Sequence, residues 1–157
     1  MAVFNAGQAL EMAQEIEKNG EIYYVTVAAK QTDADVKALF EDLAAQERIH
    51  YQVFTQMLAR VEPAPELLVD EYDQYDAYLK AALDNALFAG PDKALALAAE
   101  AGDKRTAVRG ALGFEKDTLL FFYDLREMVA GKDRAAVTRV INEEKSHVRR
   151  LARMLSS

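Results

Sequence analysis

Three prolines, at positions 63, 65 and 91, are confined to one middle region, and the long arms on either side carry none. An interior proline costs a helix about 3 kcal/mol, so arms without one are free to form long helices. Apolar residues recur there at three- and four-residue steps, as in Leu43, Glu47, His50, Phe54 and Met57, and again in Val140, Glu144, His147, Leu151 and Met154. That spacing marks one helical face, and the period-two alternation of a half-buried strand is missing. Four long helices are expected.

Helix A should run from about Asn5, with Gln8 completing a capping box, to about Lys30. Helix B should start near Thr32 or Asp33 and stop near Val61. Helix C is expected from Asp103 to a glycine stop at Gly131, and helix D from just after Asp133 almost to the end. The joints at 31–32 and 131–132 are so short that A/B and C/D must be antiparallel hairpins. The 62–102 connection is long enough for two short helices, one carrying a Tyr72, Tyr75, Tyr78 packing stripe and one running from Pro91 to Gly102. The expected fold is an all-α four-helix bundle with a long B–C crossover, one domain over 1–157.

Composition narrows the chemistry. With 26 Asp+Glu against 19 Lys+Arg the net charge is -7, which repels phosphate backbones and leaves nucleic acid a poor partner. There are no cysteines, so disulfides, thiolate nucleophiles and iron–sulfur or Cys-x-x-Cys sites are excluded. No signal peptide and no membrane span are expected, and the cytoplasm is the expected location.

Both histidines of the chain follow a glutamate by three residues, in Glu47-x-x-His50 and Glu144-x-x-His147. Glutamate fills only 14 of 157 positions, so two matches out of two are not expected by chance. On a helix, i and i+3 share a face, so each pair offers an oxygen and a nitrogen to one ion. Each pair also lies in its helix's apolar stripe, where a carboxylate needs a cation or several donors.

Helices A and C repeat one another, with Glu17-Lys18-Asn19-Gly20 leading to Tyr23-Tyr24, and Glu115-Lys116-Asp117-Thr118 leading to Phe121-Phe122-Tyr123. The constellation thus occurs twice, 97 to 98 residues apart. One Glu from each of two helices and a Glu-x-x-His from each of the other two is the donor set of a di-iron or di-manganese carboxylate bundle. Four carboxylates balance two divalent ions. A donor set rich in oxygen and free of thiolate favours iron or manganese, although zinc binds such sites as well.

These motifs resemble the rubrerythrin-like branch of the ferritin-like di-iron proteins, over helices A–D. The resemblance implies that Glu17, Glu47, His50, Glu115, Glu144 and His147 ligate two iron ions, with Glu47 and Glu144 bridging. It also implies that Tyr24 and Tyr123, after the helix A and C glutamates, hydrogen-bond to ligand carboxylates, and from there either tyrosine is expected to supply protons or quench stray oxidising equivalents. Where rubrerythrins carry a further carboxylate on helix C this chain has Thr118, matched by Gly20 on helix A. Gly20 and Thr118 either leave room for dioxygen or peroxide or serve close helix packing. Glu143, about 100° round the helix from Glu144, is expected to face solvent.

The implied activity is reduction of hydrogen peroxide or dioxygen. No cysteines for a rubredoxin domain are present, so electrons are expected from an external donor such as a rubredoxin-like protein. A homodimer is the expected assembly. Ferroxidase or iron-storage activity uses the same ligands. However, only ten residues follow His147, so the short fifth helix of cage-forming ferritins is not expected. A metal-free or zinc-filled interaction module is the third alternative.

Overall fold

The computed structural model describes residues 5–61, 77 and 90–157, and these contain five helices: α1 (Ala6–Lys30), α2 (Ala34–Arg60), α3 (Pro91–Glu100), α4 (Lys104–Met128) and α5 (Gly131–Ser156). Each start has a local cause. Asn5 accepts from the Gln8 amide at 2.8 Å while the Gln8 side chain accepts from the Asn5 amide, the capping box legible in the sequence. Asp33 caps α2 through the amides of Asp35 and Val36, and Asp103 caps α4 through that of Thr106. Pro91 stands in the first turn of α3, where its missing N–H costs nothing. The tyrosine stripe at 72, 75 and 78 lies outside the described residues.

One boundary differs from expectation. Helix α4 ends at Met128, and Gly131 opens α5 instead of closing α4. Gly131 has φ +57°, a left-handed conformation that glycine adopts without strain, so it turns the chain into the next helix. With joints of residues 31–33 and 129–130, α1/α2 and α4/α5 form the two expected hairpins.

Two connections position the hairpins against each other and against α3. The Tyr23 hydroxyl donates to the Ala107 carbonyl at 2.9 Å, tying α1 to α4. Lys30 Nζ donates to the Ala98 carbonyl at 3.3 Å, and Ala94 and Ala98 bury α3 against the bundle. The interior stripes read Leu10, Ala13, Ile16, Tyr23, Tyr24 and Val27 on α1, and Leu39, Phe40, Leu43, Phe54 and Met57 on α2. On α4 they read Val108, Ala111, Phe114, Phe121, Phe122 and Leu125, and on α5 Val137, Val140, Ile141 and Leu151. Burying such faces is the main driving force for a bundle of this kind. The stripes are interrupted, half-way along the rods, by charged side chains.

Gly20 lies against one of these interruptions. A Cβ added there would meet the Phe114 ring at 2.8 Å and Glu47 Cδ at 3.4 Å. The space at Gly20 is therefore filled by packed side chains, and of the two expectations for this glycine the structure favours close packing. Gly110 is similar, since a Cβ would meet the Tyr23 hydroxyl at 2.6 Å.

Candidate metal centre

Glu17 on α1, Glu47 and His50 on α2, Glu115 on α4, and Glu144 and His147 on α5 all lie in the dry interior. Helical spacing explains why. Each occupies a position of its helix's apolar stripe, so packing the stripes together drives the charges together as well. Ligand atoms of Glu17, Glu47, His50 and Glu144 all lie within 4.8 Å of one another, as do those of Glu47, Glu115, Glu144 and His147. Glu47 and Glu144 belong to both groups, the arrangement expected of bridging residues.

Glu144 sits between the imidazoles. Its Oε1 is 2.9 Å from His50 Nδ1 and its Oε2 is 2.8 Å from His147 Nδ1. The second approach lacks hydrogen-bond geometry, and both of its atoms are without hydrogen-bond partners among the described residues. The rings stack at 5.8 Å between centroids, inclined by 22°. His50 Nδ1 is also 3.6 Å from Glu17 Oε1, and His147 Nδ1 is 3.5 Å from Glu115 Oε1 and 3.8 Å from Glu47 Oε1.

The four carboxylates are poorly satisfied without an ion. Both oxygens of Glu17, both of Glu47, Oε2 of Glu115 and Oε2 of Glu144 lack hydrogen-bond partners among the described residues. Leaving a buried polar group unpaired costs about 1–3 kcal/mol, and more when it is charged. Burial, reinforced by Glu144, pushes Glu17 well above the ordinary carboxylate range and Glu115 up to about 8. Glu144 is itself buried, but the two imidazoles outweigh that and hold it well below the range. Burial lowers His50 and His147, yet the facing carboxylates override it: His50 rises well above its usual value and His147 to about 10. Such mutual shifts are what four carboxylates and two imidazoles must do when only protons balance them. Two divalent ions would balance the same charge and use the orphaned oxygens, so the residues fit a pair of hard or borderline metal ions.

The two tyrosines differ. Tyr24 is buried and donates its hydroxyl proton to Glu115 Oε1 at 2.5 Å, and burial and that carboxylate keep its own ionisation far above the normal range. Tyr123 is half-buried, with the Arg126 guanidinium 5.2 Å and the Lys145 ammonium 5.4 Å from its ring centroid. The expected bond from Tyr123 to a carboxylate is absent among the described residues, because the position two turns after Glu115 is Phe122, as Tyr24 is two turns after Glu17. Phe122 packs on Phe54 at 5.2 Å. Thr118 is buried with its hydroxyl oxygen unpartnered among the described residues, while Glu21, one turn beyond Glu17, pairs with Arg48 at 2.8 Å away from the centre.

Glu143, expected to face solvent, does so only in part. Its side chain is 51% exposed, yet its Oε2 lies 2.6 Å from His50 Nε2, so it is not simply solvent-facing. That bond holds the Glu143 carboxyl below its usual range, and it leaves Nδ1 as the nitrogen presented to Glu17 and Glu144.

The rubrerythrin family model matches residues 8–155. The chain belongs to the rubrerythrin family. No curated protein is significantly similar to this rubrerythrin-family chain. Among solved structures it resembles a Thermotoga maritima protein provisionally described as ferritin-like diiron-carboxylate, with a TM-score of 0.70 and 22% identity, over 98% of this chain and 96% of that one. The likeness shows the fold: this rubrerythrin-family chain is an all-α, ferritin-like helical bundle. Family and site together assign it a buried His/Glu cluster suited to metal. Among the described residues, no helix is long and apolar enough to cross a membrane.

Proposed function

We propose that this chain holds two iron ions through Glu17, Glu47, His50, Glu115, Glu144 and His147 and reduces hydrogen peroxide, or dioxygen, with electrons from an external donor. The observation that carries the reading is Glu144, whose two oxygens face two imidazole Nδ1 atoms at 2.9 and 2.8 Å among orphaned carboxylate oxygens. Two ferrous ions, when held by these residues, would supply one electron each, and with two protons that is the change that cleaves one peroxide to two waters.

The side chains do the rest. Glu144 and Glu47, which belong to both groups, would be shared by the two ions, while His50 and His147 would each give one nitrogen. Glu17 and Glu115 would complete the donor set as carboxylates, so the proton affinity that burial raises in both would be opposed by bound ions. Tyr24 keeps its proton at neutral pH and so acts as a donor, steadying Glu115 and able to pass a proton inward. Tyr24 packs with Phe40 and Phe114 at 5.5 and 6.4 Å, an apolar wall that keeps bulk water from the carboxylates. Manganese or zinc suits the donors too, and metal analysis of protein from its native source decides among them.

The setting we propose is a cytoplasmic homodimer served by a rubredoxin-like donor. Anaerobic ferrous protein mixed with one equivalent of peroxide should oxidise both irons rapidly. Oxidation that is slow with peroxide but fast with dioxygen, accompanied by continued iron uptake, would replace this reading by ferroxidase chemistry.

A further inference from the structure

The seam between α2 and α5 is the wall of the centre that comes nearest to solvent. Three polar contacts fix its antiparallel register: Asp42 meets Arg150 at 2.7 Å, His50 meets Glu143 at 2.6 Å and Arg60 meets Asp133 at 2.7 Å. On α2, Asp42, Ile49 and Arg60 follow one another at helical spacing, so Ile49 falls opposite Glu143. Ile49 is 50% exposed and Glu143 is half-exposed, which places an apolar group beside a carboxylate on the surface above His50. Among the described hydrogen bonds, the one between His50 and Glu143 is the one that joins an exposed side chain to any of the six inner ones. Charge on this side is also distinctive. Helix α5 carries seven Lys+Arg against three Asp+Glu, one of which is the buried Glu144, in a chain whose net charge is -7. Arg139, Glu143, Arg150 and Arg153 share one stripe of it, and Arg139 and Arg153 are exposed on either side of Glu143.

Resting on the two-ion reading, we propose that the α2/α5 seam around Ile49 and Glu143 is where the electron donor docks, and that this donor is a small one-electron carrier with an acidic face. A small apolar centre within a charged rim suits a weak, short-lived encounter, in which opposite charge sets the approach and the register. Acidic groups of the carrier meet Arg139 and Arg153, and its apolar surface covers Ile49. The bond that His50 Nε2 donates to Glu143 then bridges the docked surface and an inner imidazole with no gap between them. Each encounter oxidises one carrier by one electron, so two in succession return the two electrons that one peroxide removes.

The test uses zinc-substituted rubredoxin, acidic and redox-silent, titrated into the isotope-labelled full chain. Amide shifts should cluster over 46–53 of α2 and 139–153 of α5, and about 1 M salt, where the Debye length is about 3 Å, should abolish them. Arg139→Glu/Arg153→Glu should weaken this binding about tenfold and slow reduction of the ferric protein by reduced rubredoxin to match. The rate at which the same variant, reduced beforehand, reacts with peroxide should not change. Ile49→Asp, which puts a like charge against the acidic carrier, should also weaken binding. No shifts, shifts on another face, or unaltered affinity in both variants would overturn the docking surface while leaving the two-ion reading intact. A parent chain that binds the carrier at the seam but takes up no iron would overturn that reading and, with it, the role of the seam in electron delivery.

Discussion

His50 Nε2 lies 2.6 Å from Glu143 Oε2, so a half-exposed carboxylate grips from behind an imidazole whose other nitrogen faces Glu144 and Glu17. A partner of this type fixes the tautomer and ring orientation of a ligating histidine, and its loss typically costs 10–100-fold in metal affinity. Glu143→Ala should weaken ferrous or cobalt binding by about that factor, measured by competition with a coloured chelator. Glu143→Gln, which still accepts a hydrogen bond but without charge, should fall between the two. Equal affinity in all three proteins would show that the contact does not orient His50.

The metal-free protein should lose stability as pH rises. Glu115 sits at about 8 and His147 at about 10, each above its ordinary value of 4.5 or 6.5. The folded state therefore binds these protons more tightly than the unfolded chain does. Their contribution is complete below the ordinary values and disappears as pH passes through the raised ones. Glu144, held low, opposes this only below its ordinary value of 4.5. Thermal melts of chelator-treated protein across neutral and alkaline pH should show a falling midpoint. Metal affinity should rise over the same range, because ions displace those protons.

Removing the metal should be costly to stability. A ligand bound only by the folded chain at a hundredfold excess over its Kd contributes about 2.7 kcal/mol. For a chain of this size that is a rise in Tm of about 5–10 °C. Calorimetry before and after chelation measures it, and His50→Ala/His147→Ala should abolish the difference.

Gly20→Ala should destabilise. The new methyl meets the buried Phe114 ring at 2.8 Å and Glu47 at 3.4 Å, and such overpacking costs about 1–3 kcal/mol. The helix gains back about 1 kcal/mol from replacing glycine. A net loss, with weakened metal binding through the displaced Glu47, is the expected result of denaturation and chelator titrations.

The helices were legible because their signals are local. Asn5 with Gln8, Asp33 and Asp103 stand where caps must stand, and the stripes of α2 and α5 carry the Glu-x-x-His pairs inward. What escaped depends on neighbours from another helix. Glu143 reads as solvent-facing on α5 alone, and only the approach of α2 brings His50 within reach. The family resemblance points to Tyr123 as the tyrosine following Glu115, although the seven-residue step from Glu17 to Tyr24 leads from Glu115 to Phe122. Gly131 looked like a stop, but its left-handed backbone opens the following helix.

Each hairpin contributes three of the six inner side chains, and each group of candidate ligands borrows one carboxylate from the opposite hairpin: Glu144 for the first, Glu47 for the second. The cargo would thus behave like a pair of rivets driven through a seam. Neither half can clasp a cation fully by itself, so occupancy becomes a gauge of whether the halves have docked. Stripping the metal should loosen the seam before it frays either hairpin, and slowed amide exchange upon loading should appear first along the facing edges of α1 with α4 and α2 with α5.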